Sequence, residues 1–226
     1  VADAKMRIFN KDGTEISVGG NAIRCVGKYL YEKKIVSRNE MTIETLNGNY
    51  QVKVYSLSGK VTSASVNLGV AELAGAKIPC VWKEDKIVKK PVNIGGENYE
   101  ITLVNLGNPH CVIFSDKVDA VPLKKVGPLF ENSKYFPAHM NTEFIRVINK
   151  ATIKMRVWER GSGETFACGT GACAAAVAAV VNGYCKRDTE ITVHLVGGDL
   201  FITYDSNGTV FMRGGATKVF DGIYEF

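Results

Sequence analysis

No apolar run in the sequence approaches the roughly 20 residues that a helix needs to span a bilayer, and no charged-then-apolar leader opens it. The expected compartment is therefore the cytosol. The six cysteines (Cys25, Cys80, Cys111, Cys168, Cys173 and Cys185) form no CxxC pair and no His/Cys cluster, which argues against structural zinc. In a reducing cytosol they are expected as free thiols, most of them small buried apolar residues. Histidine is scarce. His110, His139 and His194 are the only three, and none stands in a Cys/His protease context. Charge of one sign is not concentrated either, because 28 Lys and Arg exceed 23 Asp and Glu by only five. The one basic run, Lys83 to Lys90, is interrupted by Glu84 and Asp85 and predicts a solvated loop, not a nucleic-acid surface.

What is present is enough apolar residue, 46% of 226, to bury a sizeable core in one large domain or two small ones. A repeat favours two. At a fixed offset of 149 residues KMRIFN (Lys5 to Asn10) lies over KMRVWE (Lys154 to Glu159), and the register then holds without a gap over about fifty residues. Glu15 falls on Glu164, Gly20 on Gly169, Leu46 on Leu195, Gly48 on Gly197 and Tyr55 on Tyr204.

Each copy reads as a strand, a glycine turn, a helix opening at GGNA or CGTG, and then two strands, MTIETL and YQVKVY or ITVHLV and LFITY. A single strand is expected over Lys5 to Phe9. The first helix, Asn21 to about Lys33, carries Ile23, Val26, Tyr29 and Leu30 at helical spacing. The second, Gly171 to about Val181, is apolar on every face and so is expected to be buried, wrapped by strands. The predicted fold is α+β: two pseudo-symmetric halves, each a curved, mostly antiparallel sheet or barrel around a central helix, with the active site in the cleft between them. The halves are placed at residues 1–63 plus 215–226 and at residues 64–214. Strand-rich sequence precedes Lys154 but only four residues precede Lys5, so the first half is expected to lack an N-terminal portion.

The repeat also aligns Gly19 with Cys168, in ERGSGETFACGTGAC. A thiol just before a helix N-terminus meets unpaired backbone N–H groups and the positive end of the helix dipole, which predicts a lowered pKa and a thiolate. The same N–H groups suit a carboxylate or phosphate, and Gly169, Thr170 and Gly171 leave room for one. The plainer alternative is a small residue packed in a tight turn. With one acid–base group per half, two sulfurs would face opposite sides of one carbon, one removing a proton and the other delivering one.

These segments bring out a resemblance. RIFNKDG, GGNAIRC, LGNPHCVIF, NTEFIRV, ERGSGETFACGTGAC and VFMRGGATKVFDG are similar, in order, to segments of the diaminopimelate epimerases that work without pyridoxal phosphate. The resemblance implies an isomerase that interconverts LL- and meso-diaminopimelate in lysine and peptidoglycan precursor synthesis, with no metal or organic cofactor and as a homodimer. It implies that Cys168 is one catalytic cysteine and that the other belongs where this chain has Gly19. Cys25 is a poor substitute, six residues and about 9 Å along the helix. The resemblance further assigns Asn10, Asn108 and Asn141 to the distal amino and carboxyl groups of the substrate, Glu159 and Arg160 to the same end, and Gly20 and Asn21 with Gly169 and Thr170 to the reacting carboxylate.

Taken one at a time, the asparagines also suit turns or strand ends and Glu159 with Arg160 a surface pair. His110 is either a cleft residue or a satisfied structural histidine. The chain departs from the family pattern at RGGA (Arg213 to Ala216), where a Gly-Pro-Ala turn is usual, and above all at Gly19. Two other functions remain open on the sequence: a one-base isomerase or dehydratase of another amino or hydroxy acid, and a non-catalytic amino-acid binder.

Overall fold

Both repeat helices form, α1 over Gly20–Glu32 and α3 over Gly169–Val181, each thirteen residues long and still in the offset of the sequence repeat. They begin one or two residues earlier than the predicted starts. Gly19 and Cys168 are their N-caps, in extended backbone at φ −137° and −121°. The carbonyls of those two residues accept the first helical hydrogen bonds, from Ile23 and Ala172. The glycines that follow thus belong to the first helical turn.

The structure is a computed structural model and describes residues 1–9, 13, 15–16 and 19–223. Asn10 lies outside the described residues. The chain divides into two compact units, Val1–Val66 with Arg213–Phe226, and Asn67–Met212.

In the first unit β1 (Ala4–Lys5), β2 (Ile8–Phe9), β3 (Glu15–Ile16), β4 (Glu40–Thr45), β5 (Gly48–Leu57) and the leading residues of β6 (Lys60–Val70) surround α1 in sequence. The sheet runs β1-β4-β5-β6, with β1 parallel to β4 and the other pairs antiparallel. The strand expected over Lys5 to Phe9 is broken. Met6 still bonds to the Glu44 carbonyl, and the chain then leaves the sheet to pair β2 with β3 in a separate ribbon.

The face that α1 buries is Ile23, Arg24, Gly27 and Leu30. Gly27 permits the contact with β5, since a Cβ there would come within 2.8 Å of Val52 Cγ1. The predicted apolar stripe needs correction at Tyr29, which is 56% exposed. With Val26 and Phe220 it lines a surface hollow of about 620 Å³.

The second unit holds β7 (Lys90–Ile94), β8 (Glu97–Asn105), β9 (Pro109–Phe114), α2 (Leu123–Glu131), β10 (Asn141–Asn149), β11 (Thr152–Glu159), β12 (Gly163–Thr165), β13 (Glu190–Leu195), β14 (Gly198–Tyr204) and β15 (Thr209–Gly214). Its sheet order is β15-β14-β13-β11-β10-β9-β8-β7, with β12 on β11. Pairs β9/β10 and β11/β13 are parallel. α3 touches β8, β9, β10, β11, β13 and β14, so the sheet curls around it, and every residue from Thr170 to Ala179 is buried.

Such closeness is possible because the side chains are small. GACAAAVAAVV offers alanine on nearly every side, and strand residues such as Ile145, Ile153 and Ile202 fill the space around it. Substituting Ala175→Leu is expected to destabilise the fold by about 1–3 kcal/mol through overpacking. Chemical denaturation of the two proteins measures it, and an unchanged midpoint would contradict the packing described. No helix among the described residues is long and apolar enough to cross a membrane.

Candidate active site

Cys168 is buried at the N-cap of α3, and its sulfur accepts a hydrogen bond from the Gly171 N–H at 3.3 Å. The Thr170 hydroxyl lies 3.7 Å from the same sulfur. Both contacts favour thiolate, as expected of a helix start. They are outweighed. Burial, then the charges of Glu159 and Glu143, push the thiol up to about 12, so the predicted lowering is corrected to a raised value and Cys168 rests as a thiol. The physical reason is that burial penalises the charged form more than two hydrogen bonds favour it.

The second unit carries most of the residues singled out from the sequence, and Thr170, Asn108 and Glu159 are linked to this thiol by contact or charge. Gly169 and Thr170 open α3, where their N–H groups have no helical partner. Asn108, just before β9, donates to Thr170 Oγ1 at 3.1 Å. His110 proves to be a satisfied buried histidine, with Nε2 3.0 Å from Asn108 Oδ1 and Nδ1 2.7 Å from Glu143 Oε1.

Asn141 is buried and ties two segments together. Its amide nitrogen donates to the Pro109 carbonyl and its oxygen accepts from the Arg160 N–H, both at 3.0 Å. Glu159 accepts a bond from the Thr165 hydroxyl, and its charge is felt at Cys168. Arg160 is exposed and donates to the Ala138 carbonyl at 3.1 Å. Among the described residues no group of three or more His, Cys, Asp or Glu side chains is arranged to hold a metal ion.

Two acids that the sequence reading did not single out support these residues. Glu143, on β10, meets His110 Nδ1. Glu131, at the end of α2, accepts from the Trp158 Nε1–H at 2.7 Å and from the Gly161 N–H at 2.8 Å, and so clamps the turn that carries Glu159 and Arg160. Gly127 lets α2 approach, since a Cβ there would fall 2.3 Å from the Trp158 ring. No periodicity marks either acid, because their roles depend on partners far along the chain. Glu131→Ala should cost about 1.5–3 kcal/mol, the range for hydrogen bonds to a charged group. It should also shift Trp158 emission to the red; an unmoved spectrum would show that the clamp does not hold the indole.

In the first unit Gly19 caps α1 without a side-chain bond. Its φ is open to any residue, and a Cβ there would meet only the tip of Ile8, Cδ1 at 2.6 Å, and Ala22 Cβ at 3.5 Å. Asn21 is exposed, its Oδ1 accepting from Arg24 Nη1 at 2.9 Å, while the Gly20 carbonyl accepts from the same nitrogen at 3.4 Å. All six cysteines are free.

This fold is the one found in amino-acid racemases and epimerases. It matches the crystal structure of a hydroxyproline epimerase from Agrobacterium vitis with a TM-score of 0.67 at 12% identity, over 93% of this chain and 67% of that one. The sequence goes further. The profile described as diaminopimelate epimerase matches residues 1–74 and 102–219. The diaminopimelate epimerase of Pelotomaculum thermopropionicum is 48% identical over 225 residues, all of this chain and 80% of that protein. That of Desulfovibrio desulfuricans is 48% identical over 230 residues, 99% of this chain and 79% of that protein. The chain belongs to the diaminopimelate epimerase family.

Proposed function

We propose that this chain acts on diaminopimelate as a cofactor-independent epimerase of lysine and peptidoglycan precursor synthesis, with Cys168 as its one sulfur acid–base group. What supports the reading is a thiol at the N-cap of a buried helix, bonded by the Gly171 N–H and within reach of the Glu159 charge, in a chain 48% identical to diaminopimelate epimerases. The free N–H groups of Gly169 and Thr170 receive the substrate's reacting carboxylate and stabilise the charge that grows there as the α-proton leaves. Asn108 and Asn141 orient the remaining polar groups, Glu159 and Arg160 bind the distal end, and Asn10, Gly20 and Asn21 are further substrate contacts. The second sulfur of a two-base reaction would stand at position 19, and glycine there leaves inversion severely impaired. The working protein is a cytoplasmic homodimer, the substrate is a small molecule, and nucleic acid is not a partner.

The test is deuterium uptake at the α-carbon of LL- and meso-diaminopimelate in D₂O. One stereoisomer should exchange, slowly. A resting thiol at about 12 means the thiolate fraction rises tenfold per pH unit below that value, so exchange should climb about tenfold per unit from pH 7 to 9. A plateau below pH 8 would contradict this assignment of the base. Uptake into neither stereoisomer, with dehydration of a 3-hydroxy amino acid instead, would replace the substrate reading.

A further inference from the structure

Glu143 is assigned no substrate contact in that chemistry, yet it is the only buried carboxylate among the described residues, and its Oε2 has no hydrogen-bond partner. Burying a carboxylate costs several kcal/mol unless it is well paired. Its pairing runs in one direction. From Glu143 Oε1 a chain of contacts leads to His110 Nδ1 at 2.7 Å, from His110 Nε2 to Asn108 Oδ1 at 3.0 Å, and from Asn108 Nδ2 to Thr170 Oγ1 at 3.1 Å. The last link is the 3.7 Å from Thr170 Oγ1 to Cys168 Sγ. Gly171 admits the carboxylate so close to the helix start, since a Cβ there would lie 2.8 Å from Glu143 Oε1 and 3.2 Å from Cys168 Sγ.

The hydrogens in this chain can be placed. An amide oxygen only accepts, so His110 Nε2 carries a proton, and the contact with Glu143 requires a second one on either Nδ1 or Oε1. Taken together, the pair holds two protons and no net charge. With Asn108 Oδ1 held by the imidazole, its nitrogen must face Thr170. The Thr170 oxygen then accepts, and its own hydrogen is free for the sulfur.

We propose that Glu143 is a positioning residue for Cys168: through His110 and Asn108 it fixes the hydrogen-bond direction so that the Thr170 hydroxyl donates to the sulfur. This rests on reading Cys168 as the proton-transfer group. In Glu143→Gln the amide oxygen keeps the Oε1 position, which lies against the electropositive start of α3 at Gly171, so the neutral side chain leaves His110 one ring proton, directed at that oxygen, and a bare Nε2. The Asn108 amide then turns over to donate to that nitrogen, presents its oxygen to Thr170 and draws the hydroxyl hydrogen away from the sulfur. Loss of the Glu143 charge would by itself lower the thiol's pKa and speed alkylation, so slowing reports the turned hydroxyl and not the field, while the other charge near the thiol, Glu159, is untouched.

The experiment is alkylation of the full chain by iodoacetamide at pH 8, read peptide by peptide, with exposed Cys25 as internal reference. Glu143→Gln should slow Cys168 about three- to tenfold, the size of one ordinary hydrogen bond, and leave Cys25 alone. Thr170→Val should slow it comparably, and adding Glu143→Gln to Thr170→Val should change the rate less than twofold. Slowing that persists undiminished on Thr170→Val would mean that Glu143 acts by packing, and would overturn the proposal, as would acceleration or no change. Should Glu143→Gln fail to fold, nitrogen NMR of His110 in the unaltered chain decides: a protonated Nε2 at pH 7 supports the relay and a bare one ends it. Neither readout uses diaminopimelate, so failure here and failure of the substrate reading remain distinguishable.

Discussion

Gly19→Cys should raise interconversion of LL- and meso-diaminopimelate by about 10² to 10⁴-fold, the usual contribution of one positioned acid–base group. The backbone at position 19 is already in an extended conformation that cysteine adopts, and the residue caps α1 as Cys168 caps α3. Only the end of the Ile8 side chain stands in the way, at 2.6 Å from the new Cβ, and a flexible methyl can move aside. Folding should therefore survive. A coupled assay of meso-diaminopimelate formation measures the gain. A well-folded variant with no gain would show that position 19 does not serve the reacting carbon.

Cys168→Ala should remove α-proton exchange altogether, whereas Cys168→Ser should lower it by at least about 10²-fold, because an alcohol is a far weaker acid than a thiol. The buried setting sharpens the distinction. Burial and the Glu159 and Glu143 charges already hold the thiol near 12, so a hydroxyl in the same place would scarcely ionise. Alanine also leaves the Gly171 N–H without its sulfur partner, a loss of about 1 kcal/mol of helix capping. Thermal unfolding checks that term separately. Full exchange in a folded Cys168→Ala protein would assign the base elsewhere.

Much of this was legible in the sequence, for a local reason. A helix start is written in consecutive residues, so the repeat located α1 and α3 to within two residues and aligned Gly19 with Cys168. The all-apolar run GACAAAVAAVV likewise announced a helix that strands enclose. Long-range balances were not legible. The sign of the Cys168 shift depends on how completely β10, β11 and α3 exclude water, and a helix dipole alone pointed the other way. Glu143 lies in NTEFI, where β10 is buried on both faces, so no alternation of polar and apolar residues distinguishes a structural acid from a misplaced one. The break after Met6 arises because Ile8 and Phe9 pair with β3, a choice that KMRIFN does not reveal when KMRVWE forms one continuous strand.

With sulfur at position 168 and none at position 19, this chain is expected to transfer protons at one face of the α-carbon only. The configuration of the diaminopimelate carbon that has taken up deuterium, determined by chiral chromatography with mass detection on the unaltered chain, tests it most directly. Retention at every labelled centre is the predicted result. Label appearing in the inverted stereoisomer at a comparable rate would mean that a second acid–base group operates without sulfur at position 19.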